Sequence, residues 1–168
     1  MAIVIRNLDA PVGAELHGID LAEPLLHPDL RAMKCAWQTR LVIIAREQRL
    51  SDPQLLAFSR QFGALDPPGP NPYGEPFNKQ FPEINVISNV IENGKPIGNL
   101  GAGEAVWHAD MTYVDVPPKA AVLYALESSQ ERRRQYLFCR HVRCVRRLAN
   151  GSQAKNRRQD CGPRRVTQ

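Results

Sequence analysis

Residues 1–127 predict an α+β body. Three features carry that reading. Short β-branched runs recur, two stretches combine helix-start chemistry with helical apolar spacing, and Pro- or Gly-rich segments separate them. At 168 residues the chain has room for one domain, or part of a larger one.

The elements follow in order. Ile3-Val4-Ile5 is a short apolar run and predicts a strand. Gly13 to Leu21 alternates apolar and polar residues, which predicts a second strand with one buried face. Pro28-Asp29 starts a helix that buries Leu30, Met33, Ala36 and Trp37 along one stripe. Leu41 to Ala45 is a continuous apolar run, the pattern of a buried strand. Ser51-Asp52-Pro53 supplies a capping hydroxyl, a first-turn acid and an early proline, and opens a second helix through Leu55, Leu56, Phe58 and Phe62. Gly63 is placed to end it. Asp66 to Phe77 holds five prolines and predicts a loop. Ile84 to Val90 predicts a strand, and Glu92 to Pro96 its turn. The Gly98–Gly103 stretch then leads into Glu104 to Tyr113.

The net charge of +5 hides two unlike segments. Residues 1–127 carry 10 Lys+Arg against 15 Asp+Glu, a net of −5. Residues 128–168 carry 12 against 2, a net of +10, and hold Cys139, Cys144 and Cys161. This break places a boundary after Glu127, with a body at 1–127 and a basic tail at 128–168. No apolar run approaches the ~18–20 residues that span a bilayer, so no membrane partner is expected. The start, Met1 to Arg6, lacks the layout of a signal peptide. A cytoplasmic protein without a disulfide framework is therefore expected.

Chemistry concentrates in Trp107-His108-Ala109-Asp110-Met111-Thr112-Tyr113. On a strand, residues two apart share a face. His108 and Asp110 would then offer an imidazole nitrogen and a carboxylate oxygen to one point. That pair is two thirds of the facial triad of non-haem Fe(II) oxygenases. Spacing alone leaves the plainer reading open, a solvated His and Asp on an edge strand. Other residues have plain readings too. His17 reads as a surface or packed histidine, His27 as solvated, Cys35 as a packed and inert thiol. Tyr113 and Tyr124 read as core or pocket wall, and Glu104 equally as a pocket-facing or a solvated loop acid.

Context extends the reading. The body resembles the TauD/TfdA family of Fe(II)- and 2-oxoglutarate-dependent dioxygenases. The resemblance rests on an ordered set: Gly13-Ala14-Glu15 with Gly18 to Leu21, Gln48 to Ser51, Phe58 to Leu65, Trp107 to Tyr113, and Pro117 to Ala120 leading to Leu123–Glu127. It implies a double-stranded β-helix, or jelly roll, with N-terminal helices, of which this chain would hold an incomplete part. It implies that His108 and Asp110 match the first two iron ligands, and that Met111 lies beside the substrate. It also implies Fe(II) as metal, 2-oxoglutarate as cosubstrate, and oxidative hydroxylation of a small organic acid such as a sulfonate or aryloxy acid. Homo-oligomerisation stays open.

The resemblance stops at Glu127. The family continues with a cosubstrate threonine, a distal His ligand and an Arg that grips the cosubstrate carboxylate, and none has a match here. The tail reads as an out-of-frame translation. Shifted by one base, a permitted codon choice converts Gln135–Gly151 to NTYFADMYAAYDALPTA, which resembles the family's continuation. GC-rich codons read out of frame also account for the Arg and Cys excess. A chain of this kind is expected to be inactive. Two rivals are a basic arm that binds nucleic acid through phosphates, and a zinc site from Cys139, His141, Cys144 and Cys161. The arm has few aromatics and no known module. The cysteines lack the paired spacing of zinc modules. With few apolar residues and much like charge, the tail is expected to be disordered.

Overall fold

The computed structural model describes residues 3–66, 74–99, 108–127 and 137–138. They form two compact bodies. The first comprises described residues of 1–21, 25–49 and 125–168, and the second those of 22–24 and 50–124.

The first body is a three-stranded sheet carrying one helix. Strands β1 (Val4–Asn7), β2 (Ala14–His17) and β3 (Ile43–Ala45) lie in the order β1-β2-β3. β1 and β2 are antiparallel, with Val4 opposite His17 and Asn7 opposite Ala14. β2 and β3 are parallel, with Ala14 opposite Ile43. A parallel pair needs a long crossover, and helix α1 (His27–Arg40) lies within it.

Sequence pattern explains these elements. The alternation in β2 puts Ala14 and Leu16 in the core, while Glu15 and His17 are half-buried. α1 turns the expected stripe inward: Met33 is 2 % exposed, and Leu30, Ala36 and Trp37 are half-buried. Val12 and Leu21 complete this core. Helix α1 ends because Leu41 takes the left-handed conformation (φ 68°), and its N–H donates to Trp37 O at 2.6 Å. That cap corrects the expected strand at Leu41–Ala45. Leu41 belongs to the cap, so β3 begins only at Ile43. β3 is half-buried rather than buried, because it is an edge of the described sheet. Cys35 is also a correction. It lies on the outer face of α1 and is exposed, not packed.

Two polar side chains hold the first body's loops. The Arg40 guanidinium donates to the carbonyls of Gly13 (3.1 Å), Leu8 (3.2 Å) and Ala10 (2.7 Å), all in the β1–β2 connection. The Arg40 carbonyl accepts the Gly13 N–H at 2.8 Å. Gln48 clasps the chain after β2, accepting from Leu21 N–H (2.8 Å) and donating to Ile19 O (3.2 Å) and Arg46 O (2.9 Å). Arg40→Met is expected to cost about 1–3 kcal/mol, because it removes three charge-assisted hydrogen bonds, although the Gly13 and Leu8 carbonyls keep the N–H groups of Leu8 and Ala10. A denaturation midpoint unchanged from wild type would show that water replaces the guanidinium without loss.

The second body is built on helix α2 (Asp52–Arg60). Ser51 caps it as expected. Gln54 Oε1 accepts from both the Ser51 N–H (2.9 Å) and the Ser51 hydroxyl (2.8 Å), so the third helical residue ties down the residue before the helix. Leu56 and Phe58 are buried, and the Phe58 and Phe62 rings meet edge to face with centroids 5.3 Å apart. The helix stops at Arg60, before Gly63. Gln61, Phe62 and Gly63 instead bond three residues back, which tightens the last turn. The following chain returns to α2 through Asn78 to Asp52 (2.8 Å) and Arg60 to Glu83 (3.2 Å).

The strand expected at Ile84–Val90 is not formed. Its alternating burial survives, but the pairing is one isolated bridge, Ile87 with Asn99. The ladder lies further on, in a hairpin of β4 (Ile91–Glu92) and β5 (Lys95–Pro96). Asn93 (φ 50°) and Gly94 (φ 75°) turn it, both with the positive φ that suits a two-residue hairpin. Gly98 closes the base of this region. A Cβ there would stand 2.8 Å from both Val86 O and Ser88 N, so the backbones approach too closely for any side chain.

The prolines at 67, 68, 70 and 72, the stretch 100–107 and the basic tail, apart from residues 137–138, lie outside the described residues.

Candidate metal centre

His108 and Asp110 do come together, though not on a strand. His108 and Ala109 have no regular structure, and residues 110–113 form a turn. Met111 takes a left-handed backbone (φ 47°), and Val114 N–H donates to Met111 O at 3.3 Å. The strand expectation is corrected here. A residue with positive φ breaks the extended run just after Asp110.

The result still places the two donors side by side. His108 Nε2 lies 3.2 Å from Asp110 Oδ1, with side chains 72 % and 60 % exposed. The spacing fits a hydrogen-bonded ion pair. It also fits two ligands of one cation. Donors each ~2.1 Å from a metal and at right angles stand ~3.0 Å apart. An imidazole nitrogen and a carboxylate oxygen are the donor types that suit a divalent metal of intermediate hardness. Among the described residues no group of three or more His, Cys, Asp and Glu side chains is placed to hold a metal.

The other candidates separate from this pair. Met111 follows Asp110 directly and is half-buried. Tyr113 is 71 % exposed, which corrects the reading of it as core or pocket wall. Tyr124 is half-buried, and its hydroxyl accepts the Leu50 N–H at 2.9 Å, just before the α2 cap. His27 is exposed as expected. His17 lines a groove of about 690 Å³ in the first body, with Glu15, Asp20, Arg46 and Gln48. His108 and Asp110 belong to the second body. The groove's polar groups are engaged internally: Arg46 Nε donates to Glu15 at 2.7 Å, and Gln48 is held by backbone. Glu104, Cys139, His141, Cys144 and Cys161 lie outside the described residues.

The model of the taurine catabolism dioxygenase TauD, TfdA family matches residues 5–132, a stretch that contains both donors. The chain belongs to the TauD/TfdA family. Its relatives include the pentalenolactone F synthase of Streptomyces arenae, 29 % identical over 77 % of this chain and 50 % of the relative. The α-ketoglutarate-dependent 2,4-dichlorophenoxyacetate dioxygenase of Cupriavidus pinatubonensis is 29 % identical over 75 % of this chain and 46 % of that one. The (S)-phenoxypropionate/α-ketoglutarate dioxygenase of Sphingobium herbicidovorans is 31 % identical over 74 % and 40 %. This TauD/TfdA chain thus spans about half, or less, of the curated relatives it matches. Family membership implies the jelly-roll dioxygenase fold, and the family's metal and cosubstrate are Fe(II) and 2-oxoglutarate. The small sheets and two helices of the described residues are in keeping with that fold. No described helix is long and apolar enough to cross a membrane.

Proposed function

We propose that this chain carries two of the three iron ligands, His108 and Asp110, of an Fe(II)- and 2-oxoglutarate-dependent dioxygenase that oxidises a small organic acid. One observation carries the reading: the two donors stand 3.2 Å apart, within the stretch matched by the family model. The names of two relatives, which act on aryloxy acids, support that substrate class. Bound Fe(II) supplies the redox chemistry that couples O₂ and 2-oxoglutarate consumption to substrate oxidation.

The chain's own residues do the holding. His108 offers the lone pair of a neutral imidazole, and Asp110 one anionic oxygen. Together they offset one of the metal's two positive charges and leave it electrophilic. Met111 is the wall residue beside the substrate. The fold is an incomplete jelly roll, with the body at 1–127 and a tail that the family model follows only to residue 132. Within these 168 residues neither a distal His nor a carboxylate-gripping Arg has a matching position. We infer that the chain binds metal weakly and does not turn over.

Mn(II), which is stable in air, is the practical probe. Calorimetry on the 168-residue chain should give weak binding that falls at least tenfold in His108→Ala and in Asp110→Ala. Equal affinity in His108→Ala would remove the site. The charge split of −5 against +10 favours one second reading, a tail that binds an acidic partner such as nucleic acid. Salt-dependent oligonucleotide binding without metal binding would favour it.

A further inference from the structure

We propose that Lys119–Glu127 is a self-association strand, through which two copies of this chain pair antiparallel about Leu123. The run contains neither His108 nor Asp110.

The run reads Lys-Ala-Ala-Val-Leu-Tyr-Ala-Leu-Glu, seven uncharged residues without Gly or Pro between one cation and one anion. Val122 and Tyr124 favour a strand. Yet the chain has no regular structure from Ala120 to Ala125, and it bends at Leu126. Among the described residues, the backbone of Ala120–Leu123, Ala125 and Leu126 makes no hydrogen bond to other backbone. The apolar side chains are uncovered as well: Val122, Leu123 and Leu126 are 45 %, 54 % and 78 % exposed. Tyr124 anchors the run, its hydroxyl accepting the Leu50 N–H. An uncharged apolar run whose N–H and C=O groups are unpaired is a template for another chain.

Charge selects a second copy as the occupant, and it selects the register. With Leu123 opposite Leu123, Val122 faces Tyr124, Ala121 faces Ala125, and Ala120 faces Leu126. Lys119 of each copy then faces Glu127 of the other, so opposite charges meet at both ends. Sliding the pairing by two residues either way sets both charges opposite uncharged residues. Parallel in-register pairing would set Lys119 on Lys119 and Glu127 on Glu127, which repel. Pro117 and Pro118 precede the run and have no N–H to give, so the ladder stops there. The contact is isologous, each copy giving the same residues. A ladder this short belongs with the weak, transient interfaces.

Sedimentation velocity on the full 168-residue chain, from micromolar to millimolar concentration, reads the association. Physiological ionic strength screens repulsion between the two basic tails. Wild type should pass from monomer to dimer, and amide hydrogen exchange at Ala120–Leu126 should slow as it does. Lys119→Glu and Glu127→Lys should each weaken the dimer by about tenfold, since two attractive pairs become two repulsive ones. Both residues are exposed, so neither change disturbs the fold. An equimolar mixture of the two variants should dimerise like wild type, because each copy then meets its opposite charge at both ends. The double variant should do the same. A chain that stays monomeric would overturn the proposal, whether residues 120–126 exchange fast or are covered by the chain's own tail. So would a dimer that both single variants keep, aggregation that ignores the charges, or a mixture of the single variants that associates no better than either alone.

Discussion

Succinate release from the 168-residue chain is expected to stay at the level of an enzyme-free blank, even with Fe(II), ascorbate and a panel of aryloxy and sulfonate acids. Three protein ligands must meet in one geometry for a facial triad. The described residues bring together two, His108 and Asp110, and no group of three. His141 is the only histidine after His108 in the sequence, and it sits in a segment of net charge +10. On the reading proposed here, neither it nor the arginines around it takes the place of the family's distal His or carboxylate-gripping Arg. The cosubstrate also needs a cation for its far carboxylate, held bidentately in the best geometry. On the out-of-frame reading of the tail, restoring the frame after Glu127 should recover turnover by orders of magnitude, and His108→Ala in that restored protein should abolish it. Robust, His108-dependent succinate from the 168-residue chain would sink both the assignment of the tail and the two-ligand limit.

Met33→Ala should have the largest effect on folding. Met33 is the largest fully buried side chain of the described residues, and it packs from α1 toward the sheet that carries Ala14 and Leu16. Truncation removes everything beyond Cβ, the thioether included, and leaves a cavity that a helix on a three-stranded sheet can close only in part. Buried Met-to-Ala changes cost ~2–5 kcal/mol, the upper end where the site cannot collapse. The first body has few other buried residues, Val12, Ala14, Leu16 and Leu21, to share the loss. Met33→Leu, which conserves volume, should cost less than ~1.5 kcal/mol. Chemical denaturation followed by circular dichroism measures both. If alanine and leucine cost the same, the packing of α1 on the sheet is not what holds this body together.

Local chemistry made much of the fold legible. Ser51-Asp52-Pro53 predicts the start of α2 because the cap, the acid and the proline act within one turn. The stripe of Leu30, Met33, Ala36 and Trp37 predicts the buried face of α1, since helical period and burial are linked. The alternation from Gly13 to Leu21 predicts β2, and the structure keeps its first half as strand. Beyond that, the chain turns at Gly18, whose φ of 70° ends the extended run. The side chains of His108 and Asp110 were also legible as a pair, although the strand on which that reading rested is not formed.

Other features needed partners distant in sequence. Ile84 to Val90 has the composition and alternation of a strand, yet a strand exists only where a neighbour supplies the ladder, and the described residues supply a single bridge. Leu41 has the profile of β3 but is taken by the helix cap. Arg40 and Gln48 look like surface residues until the fold sets carbonyls from 27 to 32 positions away around them. Cys35 is exposed because the helix has one inner face, and Met33 and Trp37 fill it.

By itself, the sequence determined the helix starts, the core stripe, the family and the pair proposed as metal donors, all of which depend on residue type and short spacing. Only the tertiary structure decided that residues 110–113 form a turn rather than a strand, with those donors 3.2 Å apart. The reason is physical. Strand and turn can both put residues two apart on one side, and only the contacts around the backbone select between them.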